Sequence, residues 1–119
     1  MNEKYRRTTI FQWNANSLRT KMADFRKLVA EFKFPVIAIS EAHTDDQFRL
    51  AGYASYSSKR SRGPSRALIC VNQQYDSTFL CASSSDGPEF VACKVRFGEK
   101  TLSVISIYIE AVIAVTCRY

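Results

Sequence analysis

Three polar residues directly follow two apolar segments of the sequence. Asn14 and Asn16 come after residues 8–13 (TTIFQW), and Glu41 comes after residues 35–40 (PVIAIS). Strands disfavour asparagine, so two asparagines at the end of an apolar segment indicate a site that uses amide oxygens. Parallel strands end at the same edge of a sheet, and open α/β sheets bind their ligands at that edge. The pattern therefore predicts one site that combines amide and carboxylate oxygens.

The segment between these two strands is predicted to be an amphipathic helix. Its apolar residues recur at steps of three and four, which places them on one helical face: Leu18, Met22, Phe25, Leu28, Val29 and Phe32. Ser17 is expected to cap the helix at its start, and Pro35 is expected to end it. A strand, a helix and a second strand within about 30 residues make a βαβ unit with parallel strands.

The remainder of the sequence predicts short strands joined by tight turns. Residues 53–57, 67–72, 78–82, 89–97 and 101–109 have strand patterns, and turn-forming residues separate them. Short connections favour antiparallel hairpins. We therefore expect an α/β (α+β) fold in which one mixed sheet is parallel early and antiparallel later, with one main helix.

The composition fits one domain, with 119 residues of which 46% are hydrophobic. The formal charge of +6 fits either a basic soluble protein or one that binds a polyanion such as nucleic acid.

The four cysteines form no C-x-x-C pair, which argues against a cysteine metal site. The N-terminus has no apolar signal-peptide region, so we expect an intracellular protein, nuclear or cytoplasmic. The apolar C-terminal run is interrupted by Glu110 and is too short to cross a membrane.

Five motifs follow one another within residues 9–110: QWNANSL, PVIAISEAHT, LAGYASYSS, RALICVN and SVISIYIE. Their order resembles the endonuclease/exonuclease/phosphatase superfamily, and in particular the apurinic-type endonuclease domain of non-LTR (LINE-like) retrotransposons. The resemblance implies the N-terminal half of a four-layered α/β sandwich, with the helix on the outer face of the sheet. It also implies cleavage of phosphodiester bonds with Mg²⁺ or Mn²⁺. Residues 1–110 are thus predicted to be a truncated domain of this kind, and residues 111–119 an unrelated tail.

The resemblance also assigns roles to single residues. Asn14, Glu41 and Tyr108 match catalytic positions, and Glu41 with Asn16 matches the metal site. Oxygen ligands suit a hard divalent cation that keeps most of its waters. Each residue also has a structural alternative: Glu41 as a solvated carboxylate, Asn14 as a cap of the turn that follows it, and Tyr108 as a core aromatic residue.

A basic segment lies between two of the predicted strands. We predict that it binds DNA phosphates without reading sequence, and its basic residues are Lys59, Arg60, Arg62 and Arg66. The alternative is a solvated hairpin tip.

Later motifs of the superfamily are absent from these 119 residues. The sequence contains no D-x-N and no S-D-H motif, which in the superfamily supply the general base and the transition-state groups. We therefore expect a truncated metal-dependent phosphodiesterase that is inactive alone. The alternatives are a non-catalytic module that binds nucleic acid or protein, and a translation product without function. In the superfamily a second sheet covers the inner face of this sheet. We expect that face to be uncovered here, so that the missing half-domain, self-association or another protein would have to cover it.

Overall fold

The structure, a computed structural model, describes residues 10–45, 48–58, 63–83 and 88–108. Within these residues the chain forms one α-helix, preceded by a 3₁₀ turn at Leu18–Lys21, and two groups of strands. In chain order the elements are β1 (Ile10–Asn14), α1 (Met22–Phe32), β2 (Val36–Thr44), β3 (Tyr53–Ser57), β4 (Ser65–Asn72), β5 (Ser77–Ala82), β6 (Glu89–Phe97) and β7 (Lys100–Tyr108).

The first sheet contains the predicted βαβ unit. Its strand order is β1-β2-β4-β3. β1 and β2 are parallel, with a register that runs from Ile10 beside Val36 to Asn14 beside Ser40. β4 pairs antiparallel with both β2 and β3. The predicted change from parallel to antiparallel pairing is therefore confirmed.

The remaining strands form a second sheet, which corrects the prediction of a single one. β5, β6 and β7 pair antiparallel with one another in that order. Side chains from the two sheets form a shared core because β2, β4, β6 and β7 each turn an apolar face inward. This core comprises Val36, Ala67, Ile69, Val71, Val91, Cys93, Val95 and Val104. The inner face that was expected to be uncovered is thus covered within the chain.

The helix covers the opposite face of the first sheet, as predicted. Leu18, Phe25 and Val29 are buried there against Ile37 and Ile39 of β2, so β2 is covered on both faces.

Two details of the helix differ from the predictions. Phe32 is 58% exposed because the helix ends at this residue, and its ring stacks on Phe34 at 5.7 Å. Ser17 occupies the N-cap position of the 3₁₀ turn, but its side chain makes no capping hydrogen bond, so the prediction of a side-chain cap is wrong. Its backbone has a φ of 76°, and its N–H instead donates to the Glu41 carbonyl.

Exposed apolar side chains lie on the outer face of the second sheet, among other places in the described residues. Ile105 and Ile107 point outward from β7, where they alternate with the buried Val104 and Ser106, and Leu80 of β5 is also exposed.

Cys70, Cys81 and Cys93 are free thiols. No helix in the described part of the chain is long and apolar enough to cross a membrane.

Candidate active site

The parallel pairing of β1 and β2 brings three of the predicted site residues to one edge of the first sheet. The Ala15 N–H donates to the Ser40 carbonyl at 3.0 Å, and the Ser17 N–H donates to the Glu41 carbonyl at 2.8 Å. These bonds extend the pairing past the end of β1. Asn14, Asn16 and Glu41 therefore lie at the same edge, as the βαβ pattern predicted.

The backbone of β2 is irregular at this edge. Ser40 pairs with Ala67 and Thr44 pairs with Ser65, so residues 41–43 face the single residue Arg66. This is a β-bulge, a feature common beside active sites because it redirects a side chain. The sequence predicted that the strand would end before Glu41, whereas β2 continues through the bulge to Thr44.

Backbone strain also concentrates at this edge. Five non-glycine residues in the described ranges have positive φ, and four of them lie here: Asn16, Ser17, Glu41 and His43, with Lys33 at the helix end as the fifth. L-residues rarely adopt positive φ, and strained residues cluster at functional sites where the surrounding fold holds them. The strain therefore supports a functional role for this edge over that of an ordinary strand end.

The two asparagines are exposed at the end of β1. The Asn14 side-chain oxygen accepts a hydrogen bond from the Asn16 N–H at 3.3 Å, so Asn14 shapes the turn as its structural alternative proposed. Lys21 lies over the Trp13 ring at 5.9 Å, and its ammonium group donates to the carbonyls of Ala15 and Asn16. Lys21 ends the 3₁₀ turn that precedes α1, and its side chain contacts this edge from there.

Tyr108 reaches the same edge from the second sheet. The Ser106 hydroxyl donates to the Ile39 carbonyl at 2.9 Å, which fixes the end of β7 against β2. Side chains alternate along a strand, so Tyr108 lies on the same face as Ser106, two residues further on. Glu41 lies two residues beyond Ile39. Tyr108 and Glu41 thus occupy the same end of the sandwich.

A buried ion pair adjoins Tyr108. The Arg66 Nε donates to the Glu89 Oε1 at 3.1 Å, and the Arg66 backbone N–H donates to the Glu89 Oε2 at 2.6 Å. The Arg66 guanidinium carbon lies 4.3 Å from the centre of the Tyr108 ring, within the range of a cation–π contact. The Glu89 side chain is 4% exposed and that of Arg66 15%. Arg66 belongs to β4 and not to the basic loop that the sequence predicted.

Hydrogen bonds keep Glu89 charged despite its burial. Burial alone would raise the pKa of Glu89, but donation from the Ser58 hydroxyl, the Arg66 N–H and the Arg66 guanidinium outweighs it. The net effect lowers the pKa of Glu89, because hydrogen bonds to a carboxylate favour its charged form. The sequence pattern assigned no role to Glu89. The one available signal was a carboxylate at the first position of a strand whose next four residues are apolar.

The arrangement of the two sheets matches that of a solved nuclease. The structure is similar to the endonuclease domain of TRAS1, a telomere-specific non-LTR retrotransposon, with a TM-score of 0.68 and 20% sequence identity. Over the matched residues the chain shares the fold of that endonuclease domain. The match covers 85% of this chain and 45% of the solved one, so the chain spans less than half of that domain. No protein-family model and no curated protein matches the sequence.

The endonuclease fold confirms the α/β class and, at the level of the fold, the resemblance predicted from the motifs. It leaves the roles of Asn14, Asn16, Glu41 and Tyr108 as predictions. Lys59, Arg60 and Arg62 lie outside the described residues. The strands that their loop connects, β3 and β4, meet at the edge that carries the candidate site, since Ser58 and Ala67 share hydrogen bonds there.

The oxygen donors at this edge suit magnesium better than a softer metal. Across the described ranges, no group of three or more His, Cys, Asp or Glu side chains is arranged to hold a metal ion. Mg²⁺ does not need such a group, because it is often bound through one or two carboxylates, several waters and the phosphates of the substrate. Glu41, half-buried beside the exposed Asn16, provides a donor set of that kind. The residues therefore fit a weakly held Mg²⁺ or Mn²⁺.

Proposed function

We propose that this chain forms the part of a metal-dependent DNA phosphodiesterase that holds the metal and the phosphate. This proposal is supported by one observation: an edge of the endonuclease fold where several residues have positive φ also holds Asn14, Glu41 and Tyr108. Three separate strands deliver these residues, so their meeting is a property of the fold and not of local sequence.

Each residue has a distinct role in the proposed site. Glu41 holds the divalent ion, with the amide oxygen of Asn16 beside it, and Asn14 orients the phosphate. Tyr108 lies near the scissile phosphate, and the loop that carries Lys59, Arg60 and Arg62 contacts the DNA backbone. When bound, the metal would polarise a phosphoryl oxygen and stabilise developing negative charge. An intracellular, DNA-containing compartment follows from this substrate.

We further propose that these 119 residues do not complete the reaction. Hydrolysis also requires a group that activates water and one that assists the leaving oxygen, and the D-x-N and S-D-H motifs that supply them are absent. Losing general acid–base assistance costs on the order of 10²–10⁴-fold in rate. Losing further electrostatic stabilisation of the transition state costs still more.

DNA binding in the presence and absence of Mg²⁺ tests the proposed site. We would measure the fluorescence anisotropy of a labelled short duplex with Mg²⁺ and with EDTA. Mg²⁺ should tighten binding by the wild-type protein, and Glu41→Gln should remove that gain. The matched control is Glu31→Gln, an exposed helix carboxylate, which should keep it. Equal Mg²⁺ dependence in both variants would show that Glu41 is not the metal ligand.

Plasmid nicking tests the predicted lack of activity. Supercoiled plasmid incubated with the purified protein and Mg²⁺ should remain supercoiled. Nicking that Glu41→Ala abolishes would show that these residues are catalytically sufficient.

The net charge favours a second candidate function. A chain of charge +6 without the later catalytic motifs is suited to bind nucleic acid without cleaving it. Duplex binding that depends on salt but not on Mg²⁺ or Glu41 would favour this non-catalytic binding module over the phosphodiesterase.

A further inference from the structure

The two sheets are joined at the candidate site by a chain of three residues. Arg66 is the second residue of β4 in the first sheet, whereas Glu89 and Tyr108 are paired neighbours on β6 and β7 in the second. The Glu89 carboxylate holds Arg66 at two points, the backbone N–H and Nε. The Arg66 guanidinium in turn lies against the Tyr108 ring.

Arg66 also lies directly opposite the β2 bulge that carries Glu41. The bulge places residues 41–43 against this one position of β4. Any shift of Arg66 would therefore be transmitted to Tyr108 on one side and to the bulge on the other. The side chains of Glu89 and Arg66 are 4% and 15% exposed. Their contacts are therefore not made by flexible surface atoms.

We propose that Glu89 is a positioning residue of the candidate site, which fixes the Tyr108 ring through Arg66. The inference rests on the proposed function, because it assigns Glu89 to the site where Tyr108 would meet the phosphate. A ring held against a fixed cation samples fewer orientations, so the phenol is placed at the edge before substrate arrives. Sites work best when their residues are held in place by buried neighbours, and Glu89 with Ser58 supplies that support here.

The position of Tyr108 can be measured without any activity. Nuclear Overhauser contacts between the Arg66 side chain and the Tyr108 ring protons should be present in the isotope-labelled wild-type protein. Glu89→Gln should remove them, and Glu89→Asp, which keeps the charge on a shorter side chain, should restore part of them. The control Glu99→Gln, an exposed carboxylate in the β6–β7 turn, should leave them unchanged. Contacts of full strength in Glu89→Gln would overturn the proposal.

If Glu89→Gln does not fold, Arg66→Gln provides the same test, because it removes the cation and leaves Glu89 in place. The Tyr108 ring signals should then move and sharpen as the ring gains freedom. Ring signals identical to those of the wild type would also overturn the proposal.

A double-mutant cycle links this geometry to the site. Glu89→Gln should weaken duplex binding about fivefold, the size of a partly shielded cation–π contact, and Tyr108→Leu should weaken it to a similar extent. The double variant should be no weaker than Tyr108→Leu alone, since Glu89 acts through that ring. Additive losses would mean that Glu89 supports the fold in general, and would overturn the proposal.

If the wild-type protein binds no duplex, the proposed function fails. The nuclear Overhauser contacts between Arg66 and the Tyr108 ring still test whether Glu89 positions that ring.

Discussion

At the scale of single residues, the most consequential side chain is one buried carboxylate. Glu89 accepts hydrogen bonds from Ser58 and Arg66, so its charge is compensated inside the protein. Carboxylates are rarely this buried without a partner. Removing the charge would take away the carboxylate that the backbone N–H and the Nε of Arg66 both contact.

We predict that Glu89→Gln lowers the free energy of unfolding by about 3 kcal/mol at neutral pH, because it breaks a shielded ion pair and weakens the hydrogen bonds to a buried carboxylate. Urea denaturation measures this, and Glu99→Gln should change it little. The lowered pKa of Glu89 means that its stabilisation is present above its unfolded-state pKa. That stabilisation is lost as the pH falls through the lower folded-state pKa. The prediction is wrong if the difference in unfolding free energy between the wild type and Glu89→Gln stays constant as the pH falls into the acid range.

The sequence could predict the position of Asn14 and Glu41 but not that of Glu89. Parallel strands separated by a helix end at the same edge whatever their neighbours are, so the local pattern was sufficient. The pairing of Glu89 with Arg66 spans 23 residues and two sheets. Nothing in the periodicity of either strand indicates which distant cation meets the carboxylate.

At the scale of elements, the strand and helix patterns largely determined the secondary structure. The pattern that predicted residues 89–97 as a strand corresponds to β6, Glu89–Phe97. The division of the strands between two sheets was not predictable in the same way. An alternating apolar pattern shows which residues avoid water, but the residues that cover them are fixed only by the tertiary fold.

The two-sheet core gives a prediction at this scale. Ile69→Ala should cost about 3–4 kcal/mol in the free energy of unfolding, since Ile69 is fully buried between the sheets and its loss leaves a cavity. Ile105→Ala makes the same chemical change at a residue that is 57% exposed and should cost far less. Thermal or urea denaturation of both variants compares them. Equal costs would mean that the second sheet does not cover the first as described.

At the scale of the whole molecule, one face is covered by nothing in the described part of the chain. Ile105 and Ile107 form an apolar surface on the outside of the second sheet, and such surfaces commonly mark a binding partner. The sequence predicted an exposed sheet face, but on the inside of the sandwich. We propose that the remainder of an endonuclease domain, a second copy or another protein covers this outer face.

Self-association of the purified chain tests this proposal in the simplest case. Sedimentation velocity should show reversible association that increases with concentration, and the double change Ile105→Ser with Ile107→Ser should reduce it. Both side chains point away from the core, so the variant should stay folded by circular dichroism. A chain that remains monomeric over the whole accessible concentration range would contradict self-association.

We propose that one edge of the sandwich brings a metal-binding carboxylate from β2 together with residues from β1 and β7. Paramagnetic broadening of amide signals by Mn²⁺ tests it most directly, because the effect depends on distance from the bound ion. We predict broadening of the Ala15, Ser17 and Ala42 amides, loss of that broadening in Glu41→Gln, and its retention in Glu31→Gln. Broadening centred on the opposite end of the sandwich, at Asp76 or the Gly98 turn, would show that the ion does not bind at this edge. Broadening that Glu41→Gln leaves unchanged would show that Glu41 is not its ligand.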